Sequence, residues 1–590
     1  MGGKNNRKYF GVGVSPGIAL AQAVVYRPNT IDPPIYQIEK HDSEAEWERL
    51  IHAKDVTRRQ LRDIRDSLGL ETPGGEAGII DAHMMVLDDE LIVEDMRCEI
   101  FEKLHNCEWA VRDVANKYIA KFNEFDDIYF VERAGDIADV SRRLLRALMG
   151  ISGDLDFDWQ EPRIVVAENL TPSEVLALPR NAVCGLVLDR GSMTSHAALL
   201  VRAVEIPAVF GLGNFSSSIT PGAMLGIDGA KGVVVVNPSD EDAVAIRGNA
   251  LERDALLSQF KADSCEVATT PDGFTVRCLA NIENQRELPY VDANGAEGVG
   301  LFRTEYLWMA EGRPVDEEEQ TRTYAAIAQA MGDRPFVVRV FDLGGDKFVG
   351  NQGLNDNETN PFLGLRSIRF LLQNEDLFKV QIRAILRAGA EVQKQIYILI
   401  PMISELYEVV RSRRIIEECF LELKEKGLGN CIFPKIGIMI EVPSAAIASP
   451  LLASHVDFFS IGTNDLTQYT FAADRINDSV AYLYQPLHPS VLKLISMTVE
   501  AATRAGIGLS VCGEMAGNPL HVIILLGLRV PVLSMASSSI PMIKALIRKI
   551  PVEEAARVSE MALNSATMAQ VRHLVRNLLE QYAPEILRLC

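Results

Sequence analysis

One histidine, one cysteine, four arginines and two carboxylates occupy positions in this sequence where their chemistry could be put to use. His196 follows Gly191-Ser192-Met193-Thr194-Ser195 and opens a helix-like run, Ala197 to Arg202. A histidine just inside a helix N-terminus, after a small polar turn, meets free backbone N–H groups and the positive end of the helix dipole. That setting favours an anion. The neutral imidazole is also a nucleophile near neutral pH. Taken alone, the stretch fits a phosphate-facing histidine and a polar turn with an incidental histidine equally well.

The other groups share one habit: each ends an apolar run. Glu441 follows Ile436-Gly437-Ile438-Met439-Ile440, and Asn464-Asp465 follows Phe458 to Thr463. Two carboxylates at successive strand ends, with no histidine between them, suit a hard cation such as Mg²⁺; a structural ion pair with an arginine is the other reading. Arg303, Arg339, Arg366 and Arg475 lie at or after expected strand ends. They form a candidate anion cradle, because guanidinium forks match phosphate and carboxylate. For Arg366 a surface ion pair is the competing reading. Cys512, before Gly513-Glu514, reads either as buried filler or as an acid able to protonate an enolate.

These residues need a scaffold, and the pattern of apolar runs supplies one. Eight buried-strand segments are expected at Thr275–Ala280, Ala296–Phe302, Phe336–Asp342, Ile396–Pro401, Lys435–Glu441, Val456–Gly462, Gly508–Glu514 and Val530–Ala536. Helix-like segments separate most of them, the signature of a C-terminal (β/α)₈ barrel whose active site gathers at the C-terminal strand ends. Upstream, strand signals at Arg163–Val166, Gly185–Leu188, Ala208–Phe210 and Gly232–Val236 indicate an α/β domain around His196. Tyr9 to Tyr26 reads as a strand, a turn at Ser15-Pro16-Gly17 and a second strand. Between them, Ser43 to Met149 has helical periodicity and is expected to be an inserted bundle. Asp240 to Ala262 is polar and helix-prone, a rigid linker.

The fold class is therefore α/β multidomain. The expected division is 1–31 with 155–240 for the phosphohistidine α/β domain and 32–154 for the helical insert. A linker helix takes 241–263 and the barrel takes 264–590.

Composition narrows the partners. The chain has 590 residues, 48% hydrophobic and 24% charged, with a formal net charge of −21. Nucleic acid and anionic membrane surfaces are excluded as main partners. Roughly half of the net charge falls in the helical insert. Within it, Glu71 to Asp95 holds eight acids, no Lys or Arg, and an apolar stripe of Ile79, Ile80, Met84, Met85, Leu87 and Leu91. A solvated face over a core stripe and a docking surface for a basic partner both fit. Nine cysteines without a CxxC pair indicate free thiols, and no apolar stretch is long enough for a membrane span or signal core; a cytoplasmic protein is expected.

At this point the longer motifs carry a resemblance. Leu170-Thr171-Pro172-Ser173-Glu174, Gly191 to His196, Gly295 to Glu305 and Asp342-Leu343-Gly344-Gly345-Asp346-Lys347 are similar to those of enzyme I. So are Asn360 to Arg366, Phe458 to Tyr469 and Cys512 to Gly517. Enzyme I is the phosphoenolpyruvate–protein phosphotransferase family of the bacterial sugar phosphotransferase system, and the likeness runs along essentially the whole chain. It implies that His196 takes the phosphoryl group of phosphoenolpyruvate and passes it to a histidine of a small phosphocarrier protein. It also implies that Arg303, Arg339, Asn464, Asp465 and Arg475 bind phosphoenolpyruvate, that Glu441 and Asp465 hold Mg²⁺, and that Cys512 protonates the enolate to pyruvate. The acidic insert would dock the phosphocarrier and the barrel would form a homodimer. With His196 outside the barrel, turnover would need a swing about a hinge near Asp240–Ala262.

The chain departs from the family pattern around the histidine. Ser192 and Met193 replace a usual Gly and Arg, Val175 a usual Thr, and Asn169 a usual Asp. Pyruvate phosphate dikinase and phosphoenolpyruvate synthase are rival readings, but the residues before His196 contain no P-loop and leave no room for their nucleotide-binding domain. A non-sugar, regulatory enzyme I would carry an extra N-terminal sensory domain. A silent scaffold would not keep His196, Arg303, Arg339, Glu441, Asp465, Arg475 and Cys512 together.

Overall fold

The structure is a computed structural model. It describes residues 7–26, 33–67, 76–123, 128–151, 161–171, 174–175, 178–179, 182–191, 196–203, 206–311, 315–344, 360–428, 430–475, 477 and 480–589. The chain forms two compact units, residues 1–251 and 252–590, with the boundary inside the helix Asp240–Ala262.

The first unit contains an eight-stranded sheet. Its strands are β1 (Arg7–Phe10), β2 (Val12–Ser15), β3 (Ile18–Tyr26), β4 (Arg163–Ala167), β5 (Val183–Leu188), β6 (Ala208–Phe210), β7 (Met224–Asp228) and β8 (Val233–Val236), in the order β1-β8-β7-β3-β4-β5-β6-β2. Two expectations are corrected here. The first strand is two strands, broken at Gly11, because β1 pairs with β8 and β2 pairs with β6 at opposite ends of the sheet order. The second correction is β7, which the sequence did not betray: Gly226 interrupts its apolar run, yet it pairs antiparallel with β3 and β8.

The insert is helical, as expected, with helices Ser43–Ser67, Glu76–Asp88, Glu90–Phe101, Cys107–Asn123 and Ile128–Leu148. Leu50, Ile92, Met96, Ile100, Val111, Val114, Ile137 and Leu144 form its core. The apolar stripe divides. Ile80 and Leu87 are buried, whereas Met85 and Leu91 are 60% and 70% exposed. Asp89 makes the division possible by capping the helix Glu90–Phe101 through the N–H groups of Leu91 and Ile92, at 2.9 and 3.0 Å. The helix direction changes there, so one apolar stripe cannot stay on one face. Glu71–Gly75 and the side chain of Ile79 lie outside the described residues.

All eight expected strands of the second unit are present: β9 (Arg277–Ile282), β10 (Val299–Arg303), β11 (Phe336–Arg339), β12 (Tyr397–Ile400), β13 (Ile436–Ile440), β14 (Phe458–Ile461), β15 (Gly508–Val511) and β16 (Val532–Ala536). They close into a parallel barrel in sequence order. Parallel strands are covered on both faces, so they read as near-continuous apolar runs; β13 is buried at every position. The lumen holds Leu301, Val337, Leu399, Met439 and Cys512, apart from the larger core under the helices. Strand side chains alternate, so the residue two past a lumen residue also points inward, one layer nearer the mouth. Leu301, Val337 and Met439 are followed at that interval by Arg303, Arg339 and Glu441.

Candidate active site

The alternation brings the expected groups to one end of the barrel. Arg339 is buried, hydrogen-bonds Glu305 and lies 3.6 Å from Asp342. Behind it, Gln381 donates to the Thr304 hydroxyl at 3.0 Å, that hydroxyl donates to the Arg339 carbonyl at 2.8 Å, and the Phe341 N–H donates to Gln381 at 3.0 Å. A buried, mutually satisfied polar set of this kind fixes the strand end in one conformation. Arg303, partly exposed at the rim, donates to Glu283 at 2.8 Å.

Glu441 is buried, and its carboxylate accepts the Met402 N–H at 2.6 Å. Met402 adopts a left-handed backbone, φ 57°, which turns that N–H toward the lumen. Burial, then the carboxylates of Asp465 and Asp342, push the Glu441 pKa up to about 8 against the opposing pull of Arg339. Asp465 sits in the first turn of the helix Thr463–Phe471, with Asn464 beside it. Arg475 is partly buried and hydrogen-bonded to Tyr484.

Arg366 corrects an expectation. It is no surface arginine: at 3% exposure it donates to both oxygens of Asp342, at 3.2 and 3.0 Å, and approaches Asp465 to 3.8 Å. Its guanidinium also donates to Tyr469 at 3.1 Å and lies over the Phe362 ring. Burial opposes its charge, but the carboxylates of Asp342 and Asp465 outweigh burial and raise its pKa. Asp342 and Arg366 are therefore part of the site, as is Glu305. The signals available in the sequence were Asp342 at the end of an apolar run and the motifs that Glu305 and Arg366 close; nothing local marked the pairing of Glu305 with Arg339 or the burial of Arg366.

Cys512 is 4% exposed, and burial pushes its thiol up to about 11. The thiol contacts the Ile461 carbonyl at 3.7 Å, and the Cys512 carbonyl accepts from Asn281 at 3.0 Å. Asn281, at the end of β9, in turn accepts from Ser534 at 2.5 Å, tying the neighbouring strands together.

The donor set can be tested for an anion and a cation. Buried Nε atoms of Arg339 and Arg366 have no hydrogen-bond partner among the described residues, so donors are available for a substrate oxygen. Glu305, Asp342, Glu441 and Asp465 surround only two buried guanidinium groups, those of Arg339 and Arg366. These crowded carboxyl oxygens, whose mutual repulsion raises Glu441, are hard donors of the kind that a divalent cation such as Mg²⁺ takes.

In the first unit, the helix His196–Ala203 begins at the histidine. The His196 side chain and Ser192–Ser195, with Met193, lie outside the described residues. Gly191, just before, has φ 115°, a conformation that favours glycine. Glu174 is buried and accepts from the Tyr26 hydroxyl at 2.7 Å and the Thr171 N–H at 2.8 Å. The Thr171 hydroxyl donates to Asp139 of the insert at 3.3 Å. Val175 packs in the core of this unit and Asn169 is exposed.

Comparisons with known proteins agree along the chain. Residues 10–133, 159–232 and 258–552 match, respectively, the N-terminal, mobile and PEP-binding domains of the PEP-utilising enzymes. The phosphoenolpyruvate-protein phosphotransferase of Geobacillus stearothermophilus is 38% identical over 96% of this chain and 97% of its own. That of Listeria monocytogenes is 38% identical over 98% and 99%, and that of Staphylococcus carnosus 37% identical over 96% and 98%. Among the described residues no helix is long and apolar enough to cross a membrane. With its barrel, its mobile-domain segment and its full-length likeness to these enzymes, the chain is an enzyme of the phosphoenolpyruvate–protein phosphotransferase family.

Proposed function

We propose that the protein moves a phosphoryl group from phosphoenolpyruvate to His196, releases pyruvate, and then passes the group to a histidine of a small phosphocarrier protein, as the first step of sugar phosphotransferase transport. The observation that carries this reading is the buried cluster at the barrel mouth, where unsatisfied guanidinium donors, excess carboxylates and a protonated thiol converge. Arg303, Arg339 and Arg475, with Asn464 and Asp465, bind the phosphate and carboxylate of the substrate, and Arg366 holds Asp342 and Asp465 in place. Glu441 and Asp465 would hold Mg²⁺, which when bound neutralises charge on the transferring phosphoryl group. The His196 imidazole attacks phosphorus in line, the enolate leaves, and Cys512 gives its proton to the enolate carbon. A thiol with a pKa near 11 is protonated at neutral pH, as a donor must be.

The chain divides the labour as its sequence suggests: residues 1–31 with 155–240 carry the phosphohistidine, 32–154 dock the phosphocarrier, 241–263 link, and 264–590 bind phosphoenolpyruvate. Exposed Met85 and Leu91 beside exposed Asp88, Asp89, Glu90 and Glu94 suit a basic partner with an apolar centre. The site of action is the cytoplasm, where the substrate is made.

Incubation with phosphoenolpyruvate labelled in its phosphoryl group and Mg²⁺ tests the reading. The protein should acquire an acid-labile, base-stable phosphate, and His196→Ala should abolish it. Label persisting in that variant refutes the assignment. Candidate phosphocarriers added to the labelled enzyme then identify the relay.

A further inference from the structure

One cavity of the second unit lies away from the mouth. It has a volume of about 1030 Å³ and lies at the opposite end of the barrel, against the first residues of β9 and β12, Arg277 and Tyr397, and Pro335 just before β11. Four cations line it: Arg277, Arg322, Arg334 and Lys394. Their neighbours show how arginines are ordinarily treated in this acidic protein. On the helices Glu317–Met331 and Glu375–Glu391, Arg383 and Arg387 are paired with Glu317 and Glu318, at 2.6 to 3.0 Å. Arg322 lies on the first of these helices, yet neither it nor Arg277 has an ion pair among the described residues. Arg334 is paired with Asp292 at 2.7 Å.

Lys394 stands apart from the rest. It is half-buried, and among the described residues its ammonium donates only to main-chain carbonyls, those of Arg334 at 2.6 Å and Ala328 at 3.5 Å. A half-buried ammonium with no carboxylate partner is costly. Burial and the nearby Arg334 push its pKa down to about 8, against the weaker opposing pull of Asp333. The two carboxylates in the lining, Asp333 and Glu391, are both exposed, and neither bonds to Lys394.

We propose that this end of the barrel is a second anion site, separate from the catalytic mouth, that takes a small polyanion bearing phosphate or several carboxylate groups. Arg277 and Arg322 supply forked donors with no ion-paired acid among the described residues, and an anion beside Lys394 adds to the counter-charge that exposed Asp333 supplies only in part. The size of the cavity suits a metabolite rather than a single inorganic ion. The inference rests on the cavity and its cations and not on the reaction assigned to the mouth.

Isothermal titration of the full-length protein in the absence of Mg²⁺ tests it, with inorganic pyrophosphate as the phosphate probe and citrate as the carboxylate probe. Arg277→Ser with Arg322→Ser, both on exposed positions, should weaken at least one probe about tenfold. Arg303→Ser, at the mouth, should leave that binding intact. The double variant should also label at His196 as the parent does. The proposal is overturned if neither probe binds at millimolar concentration, if the double variant binds both as tightly as the parent, or if Arg303→Ser removes the binding. Failure of His196 labelling would overturn the assigned reaction and leave this titration readable.

Discussion

Asn464 and Glu514 hold each other from neighbouring strand ends. The Asn464 amide donates to the Glu514 carboxylate at 3.2 Å, and the Glu514 N–H donates back to the Asn464 carbonyl oxygen at 2.9 Å. The pair joins the segments after β14 and β15, and so fixes Asn464 and its neighbour Asp465 in orientation. Glu514→Ala is expected to raise the KM for phosphoenolpyruvate about tenfold with kcat within about threefold, since one side-chain hydrogen bond is lost and Asn464 can turn. Glu514→Gln, which still offers an acceptor oxygen, should restore most of the affinity. An unchanged KM in the alanine variant would show that the pair orients nothing.

Gly462 leaves room for Glu441. A Cβ on Gly462 would lie 2.8 Å from Oε2 of Glu441 and 3.0 Å from its Cβ. Gly462→Ala is therefore expected to push the carboxylate aside and raise the Mg²⁺ concentration for half-maximal His196 labelling about tenfold. Far-UV circular dichroism should be unchanged, and a normal Mg²⁺ requirement would remove Glu441 from the metal site.

Cys512 carries a test of its role as acid. Cys512→Ala should still exchange phosphoryl groups with His196, but ketonisation to pyruvate on the enzyme should slow by about 10²–10⁴, the usual worth of a positioned acid. Pyruvate release is followed against phosphohistidine formation in single turnovers. Buried and held as a thiol, Cys512 should also alkylate far more slowly with iodoacetamide than the exposed Cys265, as mass spectrometry can show.

Asp272 ties the start of the barrel to a helix near its end. Its carboxylate accepts the Val552 N–H at 2.9 Å, the Glu553 N–H at 3.1 Å and the Thr270 hydroxyl at 2.5 Å. Desolvation opposes ionisation, but these hydrogen bonds together lower its pKa to about 2 from 3.8. A carboxylate with a depressed folded pKa stabilises above its unfolded pKa and loses that contribution as pH falls through the folded value. Discounted for solvent exposure, the contribution is about 1 kcal/mol. Asp272→Asn should lower the urea midpoint of the barrel transition at pH 7, and the gap from the parent should narrow as pH falls from about 4 toward 2. A gap that does not change with pH would rule out the linkage.

The barrel surface presents an apolar patch that suits self-association. Tyr407 and Val410 on the helix Leu406–Glu425, and Ile447 and Leu451 on the short helices Pro443–Ile447 and Ser449–Leu452, are exposed by 65%, 47%, 61% and 55%. We propose that this patch is the interface of a homodimer. The parent should sediment as a dimer, and a monomeric parent would refute the proposal. Tyr407→Glu with Leu451→Glu should raise the dissociation constant by at least about 100-fold in sedimentation velocity. Unaltered sedimentation would move the interface elsewhere.

The sequence by itself determined the barrel, because parallel strands covered on both faces must be apolar throughout and their runs stop where polar groups begin. The same rule placed Arg303, Arg339, Glu441, Asp465 and Cys512 at one end of one fold. It also foresaw the helical insert and the helix Asp240–Ala262, whose periodicities are local. What the tertiary structure alone decided is which groups meet across the barrel. Arg366 is 24 residues from Asp342 but far along the chain from Asp465, and only the folded barrel buries it between the two. Glu305, the left-handed Met402 and the break at Gly11 depend likewise on distant partners, and so does the basic cavity, whose residues come from separate strand starts and helices. Spacing along a strand reports which way a side chain points; what it finds there is set by the rest of the chain.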